Sequence, residues 1–250
     1  MTRQRVALVT GAGNGIGRAS ALALADRSHR VAVTDIDEAA AQRTVHAITE
    51  AGGSAVAIAL DVTDDTSRRA AVSRCVSELG GLDLLVNCAG VLRDARIEKL
   101  EDSLFESMLE VNLIGPLALI HTALPHLRAA GTASVVNVAS RAWLGTFGST
   151  AYSGAKGGLV GASRSLALEL APDGITVNCV APGFIETDMT STLPPRIRER
   201  ILAAIPIGRP GHPADVAEAV VFFASNGYCT GQTLLICGGR GIGRPIAEAS

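Results

Sequence analysis

The chain contains two lysines and two tyrosines, yet Tyr152 and Lys156 stand four residues apart within STAYSGAKGGLVGASRSLALEL. Random placement in a chain of 250 residues would give about 0.016 such ordered pairs. On a helix the spacing i, i+4 turns both side chains to one face. A free phenol titrates near pH ~10 and is a poor base at neutral pH. A neighbouring ammonium favours the phenolate, and the positive end of a helix acts in the same direction. A tyrosine tuned that way gives a proton to a carbonyl oxygen or takes one from an alcohol. A half-buried tyrosine beside a surface lysine would show the same spacing, and spacing alone does not choose between the two.

The second constellation is TGAGNGIG, residues 10–17. A dinucleotide loop needs a strand before it, a helix after it and a carboxylate about 20 residues on. VALV precedes the loop, IGRASALALADR follows with helical spacing, and Asp35 closes the next apolar run. The glycines Gly11, Gly15 and Gly17 let the backbone turn tightly and approach a pyrophosphate, which then sits at a helix N-terminus among free N–H groups. Asn14 and Ile16 complete the loop. An ordinary β–α turn is the plainer reading, and the flanks with Asp35 favour the cofactor. GIGR recurs at 241–244, but Pro245 follows at once and leaves no room for a helix and a returning strand, so that copy reads as a C-terminal turn. A carboxylate at the position of Asp35 accepts hydrogen bonds from ribose hydroxyls and repels a 2′-phosphate. With Ile36 next to it rather than a basic residue, NAD(H) is expected over NADP(H).

The elements that must hold these residues are legible as apolar, β-branched runs at 6–10, 30–35, 54–61, 82–87, 133–140, 175–181 and 232–236. Helical patterns at 15–28, 37–51, 64–79, 103–130 and 151–172 separate the first six. Continuous apolar strands are covered on both faces. The expected fold is therefore α/β, a Rossmann-like doubly wound parallel sheet of about seven strands with helices on both faces. No Pro/Gly/Ser-rich linker divides the chain, so residues 1–250 read as a single catalytic domain. The segment 184–212 breaks the rhythm with four prolines and a fifth, Pro213, just after it, and reads as a substrate lid.

Charge and cysteine usage narrow the function. A formal net charge of −2 gives no footprint for nucleic acid or an anionic membrane. Five scattered cysteines without a CxxC pair argue against a disulfide framework or zinc site and for a reducing compartment. No metal site is expected. The basic start carries too short an apolar stretch for a signal peptide, and no segment approaches the ~18 apolar residues of a spanning helix. A cytoplasmic location is expected.

In order, the chain also shows Asp61 and Val62 after the third run, NCAG at 87–90, Asn112 in EVNLIG, Ser140, YSGAK and PGFIETDM at 182–189. With TGAGNGIG, this series resembles the short-chain dehydrogenase/reductases over nearly the whole chain, in particular the 3-oxoacyl-thioester reductases. The resemblance implies a Ser140–Tyr152–Lys156–Asn112 catalytic set: Tyr152 as general acid/base and Ser140 as hydrogen-bond partner of the substrate oxygen. Lys156 would lower the tyrosine pKa and hold the nicotinamide ribose, and Asn112 would hold a proton-relaying water. It further implies that Asp61 and Val62 flank the adenine, that Asn87, Gly90, Pro182, Gly183 and Ile185 line the cofactor cleft, and that Thr187 bonds the carboxamide. Two departures stand out. Cys88 replaces the usual second Asn of the NNAG motif and is read as packing inward. RAWLG follows Ser140, placing Trp143 either on the pocket wall or in the core.

The implied reaction interconverts a carbonyl and a secondary alcohol, on 3-oxoacyl or 3-hydroxyacyl thioesters among other substrates. An NADPH-dependent acyl-carrier-protein reductase is the alternative, opposed by Asp35 and by Asp173-Gly174 where such enzymes carry basic residues for the acidic carrier; Arg128 is the one nearby cation that could serve. A protein that senses NAD(H) without turnover would be expected to break the Tyr–Lys pair, which is intact here. A lyase or epimerase would need a longer C-terminal substrate domain. The family resemblance implies a homotetramer joined through the helices at 103–130 and 151–172.

Overall fold

The computed structural model describes residues 4–187, 190 and 194–243. β1 (Val6–Thr10), β2 (Arg30–Asp35), β3 (Ser54–Ala59), β4 (Leu84–Asn87), β5 (Ala133–Val138), β6 (Ile175–Pro182) and β7 (Thr233–Ile236) form a seven-stranded sheet in the order β3-β2-β1-β4-β5-β6-β7. Every pairing is parallel. Among the described residues the α-helices are α1 (Gly15–Asp26), α2 (Glu38–Glu50), α3 (Asp65–Leu79), α4 (Asp102–Leu109), α5 (Gly115–Ala129), α6 (Thr150–Leu170), α7 (Pro195–Leu202) and α8 (Pro213–Ser225).

Because strand side chains alternate between faces, β1 feeds two cores at once. Val6 and Leu8 point into one with Val72, Leu119, Leu127 and Leu170 of α3, α5 and α6. Ala7 and Val9 point into the other with Leu24, Ile48, Val220 and Phe223 of α1, α2 and α8. Strand order reverses between β1 and β4, and this leaves a crevice at the carboxyl ends of the strands, where ligands of open α/β sheets bind.

The expected helix at 103–130 is interrupted. A π-helical turn at Glu110–Ile114 separates α4 from α5, because the Asn112 amide donates to the Met108 carbonyl at 3.0 Å. A side chain that takes an i−4 carbonyl in this way disturbs the helical ladder. The whole run Asp102–Ala129 is, by length and apolarity, capable of crossing a membrane, contrary to the expectation that no segment comes close. Its residues Leu119, Ile120, Ala123 and Leu127 are buried in the core, so part of its apolarity is used in packing.

Of the expected lid, Phe184 and Ile185 are buried, Ile185 bridges to Gly211, and α7 follows. Asp188 and Met189 of PGFIETDM, with residues 191–193, lie outside the described residues. The second GIGR copy forms turns after β7 as far as Gly243, in keeping with its reading as a turn; Arg244 lies outside the described residues.

Candidate active site

A cleft of about 410 Å³ opens at the switch point. Gly11, Asn14, Gly15, Ile16 and Gly17 form one wall, where β1 turns into α1. The sequence dictates that turn. Gly11 and Gly15 hold φ of +62° and +52°, a region side chains disfavour. A Cβ on Gly17 would lie 2.1 Å from the Gly11 carbonyl oxygen. The start of α1 therefore presses against the strand end and presents its first-turn N–H groups to the cleft, a fit for a pyrophosphate. Thr10 ties this wall to the next strand, its hydroxyl accepting from the backbone N–H of Cys88 and Ala89 at 2.9 Å each.

Asp35 ends β2 beside the loop. Its carboxylate accepts from Gly13 N–H at 2.9 Å and from Asp37 N–H at 3.0 Å. A Cβ on Gly13 would meet Ala40 at 2.6 Å and Asp35 at 2.9 Å. Gly13 is thus a site residue that the sequence reading passed over, although the GAG in TGAGNGIG signalled it. Ile36 is 74% exposed and brings no cation to the site.

Ser140, Tyr152 and Lys156 converge on the other wall. Ser140 follows β5 and accepts from Ala142 N–H at 3.1 Å. Tyr152 is half-buried on the first turn of α6. Burial pushes its phenol above the ordinary value, and a hydrogen bond with Ser140 pulls the other way. Lys156, 3% exposed, donates to the Val138 carbonyl at 2.9 Å, and its nitrogen stands 5.8 Å from the Tyr152 ring centroid. Burial pulls its ammonium down to about 8. Desolvation is the largest influence on the phenol, and the Lys156 ammonium donates to the strand carbonyl.

Asn112 lies behind this group. It is fully buried, with its amide held by the Val91 and Met108 carbonyls at 3.0 Å each. A Cβ on Gly90 would sit 2.8 Å from Asn112 Oδ1 and 3.6 Å from Lys156 Nζ, so Gly90 lines the cleft with Asn112 and Lys156 directly beneath it. Pro182, Gly183, Ile185 and Thr187 close the far side. Thr187 reaches across to Gly15, its methyl 3.4 Å from where a Gly15 Cβ would stand. Thr190, which the sequence reading did not single out, lines the cleft too and accepts from Thr187 N–H at 3.0 Å.

Besides Asp35 and Asn112, three further expected positions do not line the cleft. Asn87 is 3% exposed and donates to Asn137 at 2.8 Å, across the paired strands β4 and β5. Asp61 is occupied by Thr63, accepting from its N–H at 2.8 Å and its hydroxyl at 2.7 Å. Val62 packs where a Gly115 Cβ would be, 3.0 Å away. Trp143 joins Ala139, Val160, Cys179 and Ala181 in a small cluster, which is the core reading of that residue. Cys88 both lines the cleft and packs inward, and burial pushes its thiol up to about 12, which disfavours the thiolate.

A family model described as enoyl-(acyl carrier protein) reductase matches residues 11–241. The chain is 38% identical over 242 residues to (2S)-[(R)-hydroxy(phenyl)methyl]succinyl-CoA dehydrogenase subunit BbsD of Thauera aromatica, covering 96% of this chain and 98% of that one. It is 40% identical over 238 residues to the 3-oxoacyl-[acyl-carrier-protein] reductase FabG of Vibrio cholerae, covering 94% and 96%. A crystal structure from Sinorhizobium meliloti, assigned to the short-chain alcohol dehydrogenases, superposes with a TM-score of 0.92 at 33% identity, covering 97% and 98%. Fold and relatives together define an oxidoreductase acting between an alcohol and a carbonyl. The chain belongs to the short-chain dehydrogenase/reductase family, whose cofactor is NAD(H) or NADP(H).

Proposed function

We propose that this protein is an NAD(H)-preferring oxidoreductase that interconverts a ketone and a secondary alcohol, with acyl thioesters as its substrate class. The observation that carries the reading is the convergence of Ser140, Tyr152 and Lys156 on the cleft that the loop at Gly11–Gly17 also lines. Cofactor and substrate would thereby share one cavity.

A nicotinamide held there supplies or accepts the hydride. The chain's own residues handle the rest. Tyr152, neutral when buried, donates its proton to the carbonyl oxygen in reduction, and in oxidation its phenolate takes the proton of the alcohol. The Ser140 hydroxyl, already bonded to Tyr152, steadies the charge that develops on that oxygen. Lys156 holds a ribose hydroxyl and replenishes the tyrosine's proton, with Asn112 beneath Gly90 ordering the path from solvent. Asp35 selects the cofactor: its carboxylate, fixed by Gly13, stands where a 2′-phosphate would be repelled.

Two relatives act, by name, on a succinyl-CoA alcohol and on a 3-oxoacyl carrier protein, and both names support thioesters. The carrier-bound substrate with NADPH is the second reading, favoured by the FabG likeness. Against it, Arg128, the cation that could meet an acidic carrier, is paired with Asp173 at 2.8 Å. Single-domain architecture, homotetramer formation and a cytoplasmic site complete the proposal. The test is oxidation of NADH and NADPH with acetoacetyl-CoA and with a 3-oxoacyl carrier protein, for the parent and Asp35→Ala. The reading expects NADH and the CoA ester to win in the parent, and Asp35→Ala to erode the cofactor preference. Turnover confined to NADPH and the carrier thioester would establish the second reading instead.

A further inference from the structure

The segment after β4 and the loop entering α6 clasp one another at three points. Ser149, 3% exposed, donates its hydroxyl to Asp94 Oδ1 at 2.5 Å. Ala95 forms a parallel bridge with the same Ser149. The Arg96 guanidinium stands 5.0 Å from the centroid of the Phe147 ring.

Ser149 is the residue immediately before α6. A serine there ordinarily accepts a hydrogen bond from a first-turn N–H. Ser149 makes no such cap; its hydroxyl turns away from the helix to the carboxylate, a charge-assisted and hence stronger bond. Its carbonyl still accepts from Ser153 N–H at 2.8 Å, so the turn that carries Tyr152 is pinned at its first residue. A carboxylate near a helix N-terminus is also favoured by the helix dipole.

We propose that Asp94 is a positioning residue: through Ser149 it fixes the first turn of α6 and so sets Tyr152 against Ser140. This rests on the reading of Tyr152 as the acid/base group. The charge of Asp94 adds a second consequence. The groups acting on the phenol are Ser140 from the end of β5, Cys88 from the end of β4, Asp94 from the following segment, and Lys156 on the phenol's own helix. Cys88 is held neutral by burial, so Asp94 is the negative charge of this group, and it favours the proton-bearing phenol. That is the form needed to protonate a carbonyl oxygen.

Two variants separate the two effects. Ser149→Ala removes the hydrogen bond and leaves the charge. Asp94→Asn removes the charge and keeps an acceptor oxygen for Ser149. Both are compared with the parent and with Tyr152→Phe, following NAD-dependent alcohol oxidation against pH, with thermal unfolding and NADH fluorescence to confirm folding and cofactor binding. Ser149→Ala is expected to lower kcat with little change in KM or in the apparent pKa. Asp94→Asn is expected to lower the apparent pKa, by an amount that fades as salt approaches ~1 M because Asp94 is exposed. A parent profile that vanishes in Tyr152→Phe but is matched by both folded variants would overturn the role of Asp94 alone. A profile that persists in Tyr152→Phe would instead overturn the assignment of Tyr152.

Discussion

Replacing Gly17 with alanine isolates the contact on which the cofactor wall depends. The new Cβ would lie 2.1 Å from the Gly11 carbonyl oxygen and 2.7 Å from its carbonyl carbon. Ordinary contact begins near ~3.4 Å, so the loop and the helix start must separate by about 1 Å. Alanine gains about 1 kcal/mol over glycine in a helix, against about 1–3 kcal/mol for overpacking. The net stability change is therefore small or moderately negative. Binding suffers more, because a displaced loop forfeits at least one charge-assisted N–H bond to a phosphate, worth about 1.5–3 kcal/mol. The expected result is a Kd for NADH raised about tenfold to a hundredfold, read by fluorescence titration. Gly227→Ala is the control: Gly227 lies in the turn after α8 with nothing within 4 Å of a Cβ, so it should leave folding and Kd unchanged. A Gly17→Ala protein that binds NADH as the parent does would show that the tight loop is not what holds the pyrophosphate.

Two further predictions concern buried titrating groups. Cys88, its thiol pushed up to about 12, should resist iodoacetamide at pH ~8, where the thiolate fraction is about 10⁻⁴; rapid labelling of Cys88 by mass spectrometry would contradict its burial. Lys156 titrates at about 8 when folded and near ~10.4 when unfolded, so the unfolded chain binds more protons between those values. Stability should therefore rise with pH across that window, by about 3 kcal/mol from this group. Lys156→Met should lack that rise in urea unfolding, and identical pH dependence in parent and variant would refute the depressed value.

Most of this architecture was legible because it is written in short-range pattern. The seven runs became seven strands with ends shifted by one or two residues: β4 begins at Leu84 and β7 at Thr233, while β3 and β5 stop at Ala59 and Val138. Leu60 and Asp61, like Ala139 and Ser140, end the apolar runs but leave the strands at their carboxyl ends, beside the crevice. What the pattern did not carry was set by side-chain tips. Periodicity cannot foresee that the Asn112 amide takes the Met108 carbonyl and forces a π turn. The spacing of Tyr152 and Lys156 correctly put both on one wall, but spacing fixes a face and not an endpoint, and the ammonium settled on Val138. Asn87 and Asp61 have the right types at the right places, but pattern could not foresee that Asn87 Nδ2 would bond Asn137 and Asp61 Oδ1 would bond Thr63. The Asp94–Ser149 clasp joins residues 55 apart and has no local signature.

The claim on which the rest depends is that Tyr152 moves the proton. The most direct measurement is kcat of Tyr152→Phe with a saturating ketone substrate, beside its Kd for NADH. The account predicts a fall in kcat of about 10²–10⁴-fold with NADH binding close to that of the parent. A kcat within a few-fold of the parent, in a variant that folds and binds NADH, would contradict it and return the proton transfer to another group in the cleft.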